Sequence, residues 1–151
     1  MRLPVPVLRL GYRAAYMAMR AYWFALRPEV SGVKCVLLSQ GRVLLVRHTY
    51  GDRGWDVPGG SLKRGELPLD AARREMSEEL GVDVEHWVSL GRLMANMDHR
   101  RDTMHCFAAE LQVEAVTMHP GELAAVGWFS RQDLPPELNR HVRRILARIA
   151  G

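Results

Sequence analysis

The chain has 151 residues, 48% of them apolar and 25% charged. That is enough for one domain with a real core and excludes a disordered or low-complexity chain. The net charge of +4 comes from 19 Arg and two Lys set against 17 acids, a balance that attracts polyphosphates or an anionic surface. Cys35 and Cys106 stand in apolar runs outside any CxxC or Cys/His metal spacing. They read as small hydrophobes in a reduced, cytoplasmic setting.

Residues 1–29 form an N-terminal extension, and residues 30–151 the main domain. From Leu8 to Leu26 the chain is apolar but punctuated by Arg9, Arg13 and Arg20. Their spacings of 4 and 7 put them on one face of an amphipathic helix that ends before Pro28. Internal arginines argue against a membrane span, and no A-x-A-like site marks a secretory signal. Three placements are open to this helix: against its own domain or a second subunit as a homodimer, on a membrane surface through 8–26, or against another partner.

Residues 31–39 and 42–48 read as strands joined by a Gln40-Gly41 hairpin turn. A loop at 49–54 and a short extended run from Trp55 to Pro58 lead to Gly59-Gly60. Pro68 suits a first helical turn and Gly81 a C-terminal cap, so 68–80 is a helix. Residues 86–97 and 103–112 read as an antiparallel pair joined through 98–102, with His99, Arg100 and Arg101 at a solvated tip. A loop at 113–123 precedes a core strand at 124–129. Pro135 and Pro136 open a terminal helix over about 137–149. The order of strands, helix, strands, helix indicates an α+β fold with a mixed sheet between helices.

The chemistry lies in 74–79, Arg-Glu-Met-Ser-Glu-Glu. Glu75, Glu78 and Glu79 fall at i, i+3 and i+4, on one helical face, where like charges repel. A divalent cation such as Mg²⁺ relieves that repulsion, because hard cations take carboxylate oxygens together with substrate phosphates. Gly59 and Gly60 allow the backbone to approach a ligand closely.

Gly60, Glu66, Arg74-Glu75-Met76, Glu78-Glu79 and Gly81-Val82 stand at the spacing of the Nudix box. About nine defined positions over 23 residues all hold allowed residues, so the chain resembles the Nudix (MutT-like) hydrolases across roughly 31–148. The resemblance implies an α/β/α sandwich, to which the N-terminal helix is an addition. It also implies hydrolysis of a nucleoside diphosphate linked to another group, with Mg²⁺ or Mn²⁺ as cofactor and a small-molecule nucleotide as substrate.

Within that resemblance Glu75, Glu78 and Glu79 form the metal cage, and Gly59 adds a backbone carbonyl. Gly60, Glu66, Arg74 and Gly81 are structural, with Arg74 pairing with Glu66 to brace the loop. The general base is either Glu75 or the loop acid Glu122, six residues before Trp128, with Glu114 as a further loop choice. Tyr50 or Trp55 could stack on a base, and Arg47, His48 and Arg53 could hold phosphate. Leu67 replaces the usual N-cap hydroxyl, and Ala125 stands where a second loop acid is common. Leu44-Leu45-Val46-Arg47 only partly resembles the coenzyme A pattern. Met97, Asp98 and His99 stand where a Pro or Tyr would mark ADP-ribose or dinucleoside polyphosphate hydrolases. Two alternatives are a non-catalytic nucleotide-sensing or partner-binding module and an RNA 5′-end pyrophosphohydrolase. The latter rests on charge alone, and nucleic acid is not the expected partner.

Overall fold

A computed structural model describes residues 2–26, 29–97 and 100–149. In chain order the elements are α1 (Val5–Leu26), β1 (Glu29–Ser39), β2 (Arg42–His48), β3 (Gly59–Ser61) and α2 (Pro68–Leu80). They continue with β4 (Val88–Met97), β5 (Arg100–Glu110), β6 (Leu123–Ser130) and α3 (Val142–Leu146).

The sheet runs β4-β5-β1-β2-β6, with β3 paired to β1 off this path. It is mixed: β1 and β5 are parallel from Glu29 opposite Arg101 to Leu38 opposite Glu110, and the other pairings are antiparallel. The β1–β2 turn places Gln40 at φ 49° and Gly41 at φ 75°. Two left-handed residues in a row are what a two-residue hairpin needs. Beyond that turn β1 and β2 pair only at Leu38–Val43 and Ser39–Arg42. Nearer its start β1 takes β3 as neighbour instead, and the sheet opens into a cleft.

Period-two alternation divides the core between the two faces. Val33, Cys35 and Leu37 of β1 and Leu44 and Val46 of β2 pack with Ala71, Ala72, Met76 and Leu80 of α2. Val36, Val43 and Leu45 pack with Val142, Ile145 and Leu146 of α3. The result is the expected α/β/α layering, with both cysteines free and buried.

The terminal helix is shorter than its periodicity suggests. Leu138 forms a parallel bridge with Trp55. Trp55 N–H donates to the Glu137 carbonyl at 2.6 Å, and Asn139 N–H donates to the Trp55 carbonyl at 2.9 Å. Those bonds hold 137–139 extended, so the helix starts only at Val142: tertiary pairing overrides local propensity. Arg100, Arg101 and Asp102 belong to β5 rather than to a connecting tip, and His99 lies outside the described residues.

The N-terminal helix packs on its own domain, and two of its arginines reach loop carbonyls there. Arg9 Nε donates to the Pro120 carbonyl at 3.1 Å, and Arg13 Nε donates to the Thr49 carbonyl at 3.0 Å. Trp23 is buried, while Leu10, Met17 and Phe24 are exposed on the outward side. No helix among the described residues is long and apolar enough to cross a membrane.

Met76 is fully buried between α2 and the sheet. Met76→Ala is expected to lower the unfolding free energy by about 2–5 kcal/mol in urea titration. A loss well under 1 kcal/mol would show that α2 does not depend on this contact.

Candidate functional site: a carboxylate cluster at the end of a cleft

Helix α2 is placed by its ends. Pro68 stands at its start after Leu67, which makes no side-chain cap, and Gly81 closes it at φ 64°, its N–H donating to the Ser77 carbonyl while Val82 N–H donates to the Met76 carbonyl. The missing hydroxyl cap is offset by a brace from the loop. Arg74 clasps Glu66 with two bonds, Nε to Oε2 at 2.8 Å and Nη2 to Oε1 at 2.9 Å, and Nη2 also donates to the Ser61 carbonyl at 3.0 Å. Glu66 in turn accepts from Lys63 N–H at 3.0 Å. The Arg74 bonds, helped by that backbone donor, hold the Glu66 carboxyl down at about 2. This is the bracing role expected of Arg74.

The two glycines are part of a strand rather than an open loop. A Cβ on Gly59 would lie 1.9 Å from the Val33 carbonyl oxygen, so β3 can sit against β1 only without a side chain there. A Cβ on Gly60 would lie 2.2 Å from the Glu75 carboxyl carbon. Gly60 therefore keeps open the space that the Glu75 carboxylate fills.

The three helix acids end in different surroundings. Glu79 is 1% exposed, and neither of its carboxylate oxygens has a hydrogen-bond partner. Glu75 is half-buried and accepts from Arg74 Nη1 at 2.9 Å. Glu78 is exposed and reaches only Arg74, at 3.3 Å. What gathers around Glu79 is Glu122 from the loop before β6 and His48 from the end of β2. One ligand atom of each of the three lies within 4.8 Å of the others. His48 Nε2 stands 3.6 Å from Glu79 Oε1, beyond a hydrogen bond but close enough for both to face one ion. Carboxylate oxygens and an imidazole nitrogen around a buried, unpartnered carboxylate suit a hard divalent cation. Of these three, His48 lines a cleft, together with Gly59 and Gly60.

Burial pushes the Glu79 carboxyl upward, the nearby Glu122 adds to this, and His48 opposes it. Burial likewise raises Glu75 to about 7, with Arg74 opposing and Glu79 and Glu122 adding their repulsion. Such raised carboxyls mark a group of acids gathered without a counter-ion. Tyr50 O–H donates to Glu122 Oε1 at 3.1 Å and aims that acid. Burial and the Glu122 charge push the Tyr50 phenol well up, so it stays protonated as the donor.

Of the residues expected to hold substrate, Tyr50 lines the cleft, but Arg47 and Arg53 do not. Arg47 donates through Nε to the Arg53 carbonyl at 3.0 Å, pairs with Glu137 at 3.2 Å and lies over the Trp55 ring at 5.7 Å. The cause is alternation: Val43, Leu45 and Arg47 face α3, whereas Leu44, Val46 and His48 face α2. The same rule, applied to β2 in the sequence, picks out His48 as the neighbour of the helix acids. Trp55 packs edge-on against Phe129 at 4.9 Å and is not a base platform. Glu114 is taken by Arg42, which removes it as a catalytic base. Ala125 pairs with Arg47 across the β2–β6 ladder.

Elsewhere in the cleft Lys34 and Asp56 are paired. Lys34 Nζ bonds Asp56 Oδ2 at 2.9 Å, and Asn139 Nδ2 donates to the same oxygen at 3.1 Å. Burial alone would raise Asp56, but the Lys34 charge and these bonds win and hold it below the usual carboxylate range.

The NUDIX domain family matches residues 27–149. The chain is 29% identical over 112 residues to phosphatase NudJ of Escherichia coli strain K12, covering 72% of each protein. The crystal structure of a MutT NUDIX hydrolase from Burkholderia pseudomallei superposes with a TM-score of 0.75 at 24% identity, over 81% of this chain and 98% of that one. The NUDIX domain of Shewanella oneidensis NrtR, crystallised with ADP ribose, superposes with a TM-score of 0.68 at 17% identity, over 80% and 85%. These structural likenesses are ones of fold; the family match and the box residues together establish that the chain belongs to the NUDIX family of pyrophosphohydrolases.

Proposed function

We propose that the chain is a Mg²⁺- or Mn²⁺-dependent pyrophosphohydrolase, acting on a nucleotide, nucleotide sugar or dinucleotide in which a nucleoside diphosphate is linked to another group. The catalytic unit is 30–151, and 1–29 is an extension of it. The observation that carries the reading is the Glu79 carboxylate, buried and unpartnered, within 4.8 Å of ligand atoms of Glu122 and His48. Glu79, Glu122 and His48 hold the cation, and Gly59 lines the cleft with His48. Glu78 stands apart on Arg74. A bound divalent ion neutralises the diphosphate oxygens and so lowers the barrier to attack by water.

The rest falls to the chain's own groups. Glu75, kept in place by Arg74 and given room by Gly60, is the general base. It takes a proton from water as the water oxygen forms a bond to phosphorus. The bridging P–O bond breaks, and the leaving phosphate departs with the bond's electron pair. Its carboxylate, half-buried against Gly60 and held by Arg74, is positioned for that proton transfer. Tyr50 fixes the rotamer of Glu122. The outward stripe of α1, Leu10, Met17 and Phe24, supports a contact of this helix with a lipid surface or a second copy. The buried free cysteines suit a cytoplasmic setting.

Glu79→Gln is expected to lower kcat/KM by more than about 100-fold with Mg²⁺, with an unchanged circular-dichroism spectrum. Turnover equal to wild type in that variant sinks the assignment.

A second prediction concerns the metal-free protein. Glu75 has a folded pKa of about 7 against an ordinary 4.5. Between those values the folded state keeps a proton that the unfolded state has released. Its stabilising contribution is complete below about pH 4.5 and is lost as pH rises through about 7. In EDTA the melting temperature should fall from about pH 5 to about pH 8, and Glu75→Gln should flatten that fall. A variant whose profile parallels wild type would contradict this.

A further inference from the structure

Helix α1 lies outside the span that matches the family, 27–149, yet it builds one wall of the cleft. Tyr12, Ala15, Tyr16, Met19 and Trp23 line a cavity of about 500 Å³ that also reaches His48, Gly59 and Gly60. The helix is seated by fit. A Cβ on Gly51 would lie 3.0 Å from the Tyr16 ring, and one on Gly121 3.2 Å from the Tyr12 ring, so both loops present bare backbone to it. Tyr12 stacks on Tyr50 at 5.8 Å with an interplanar angle of 10°, and Tyr16 meets Tyr50 at 5.5 Å and Trp23 edge-on at 5.9 Å. An aromatic wall thus runs from the residue that aims Glu122 to the far end of the cavity.

At that end stands segment 139–141. His141 is 8% exposed, lines the cavity, and has no hydrogen-bond partner on either ring nitrogen. The Asn139 side-chain amide donates through Nδ2 to Asp56, and its Oδ1 is buried and unpaired. Burial, with Arg144 and Arg140 close by, keeps the His141 ring neutral. It therefore offers one donor and one acceptor. A hydrocarbon group here would leave these buried polar atoms unsatisfied. Lys34, Asp56, Asp102 and Arg140 also line the cavity, two basic and two acidic side chains, with Lys34 paired to Asp56. A flat ring with a hydrogen-bonding edge satisfies both walls.

We infer that α1 and segment 139–141 form the subsite for the group attached to the diphosphate, and that this group carries a planar heteroaromatic ring of the nucleobase kind. Its face lies on the Tyr16–Trp23 wall, and its edge bonds His141. This rests on the reading above, which places the diphosphate at the Glu79–Glu122 end.

The test uses the full chain with Mn²⁺ and ligands that are not turned over: AMP, GMP, CMP and UMP, with inorganic phosphate as the base-free probe, each titrated by calorimetry. The tightest nucleotide should bind at least about tenfold more tightly than phosphate, as stacking on an aromatic wall allows. Tyr16→Ala should weaken that nucleotide about tenfold and leave phosphate within about twofold. Met19→Trp, which fills the cavity from an exposed helix position without deleting a packed side chain, should do the same. His141→Phe should erase the preference among the four bases. Nucleotides binding no better than phosphate to the wild type overturn the subsite, as do variants that weaken nucleotide and phosphate alike. Either result together with intact, Glu79-dependent diphosphate hydrolysis would sink the subsite alone; hydrolysis indifferent to Glu79 would sink the catalytic reading itself.

Discussion

A carboxylate buried without a partner is costly, because the lost hydration is not returned. Glu79 is in that position: it is enclosed by the sheet and α2, with two unpartnered oxygens and a second acid and an imidazole close by. A fold can sustain this only if a counter-charge arrives or the group takes up a proton. Burial shifts both the Glu79 and the Glu75 carboxyl upward. The proposed cation site and the proposed diphosphate chemistry both rest on this one unfavourable placement, which the surrounding packing enforces.

The packing that enforces it is local and traceable. Gly81 ends α2 so that the helix acids reach the β2 edge. Arg74 ties the helix to Glu66 and Ser61 and fixes Glu75 against Gly60. The early parting of β1 from β2 opens the cleft beside these groups. Helix α1 and segment 139–141 stand apart from these features and line other parts of the cleft.

Much of this was legible in the sequence because it is local. The spacing from Gly60 to Val82, the caps at Pro68 and Gly81, the Gln40-Gly41 turn and the Arg74–Glu66 pair each depend on neighbours within a few residues. The errors came where distant contacts decide. The stretch 137–139 looks helical but is held extended by Trp55. Arg47 looked like a phosphate ligand but is carried to the opposite face, while His48, one residue on, reaches Glu79. Stricter use of strand alternation would have separated the two. The arginine face of α1 was visible, but its direction was not. The carbonyls of Thr49 and Pro120 hold Arg13 and Arg9, while Leu10, Met17 and Phe24 stay exposed.

The account depends on a cation meeting Glu79, so the most direct measurement is a titration of the metal-free protein with Mn²⁺, following the free ion by electron paramagnetic resonance. Saturable binding in the wild type, lost in Glu79→Gln and weakened in Glu122→Gln and His48→Ala, is the predicted result. Equal affinity in wild type and Glu79→Gln would contradict it and place the metal elsewhere.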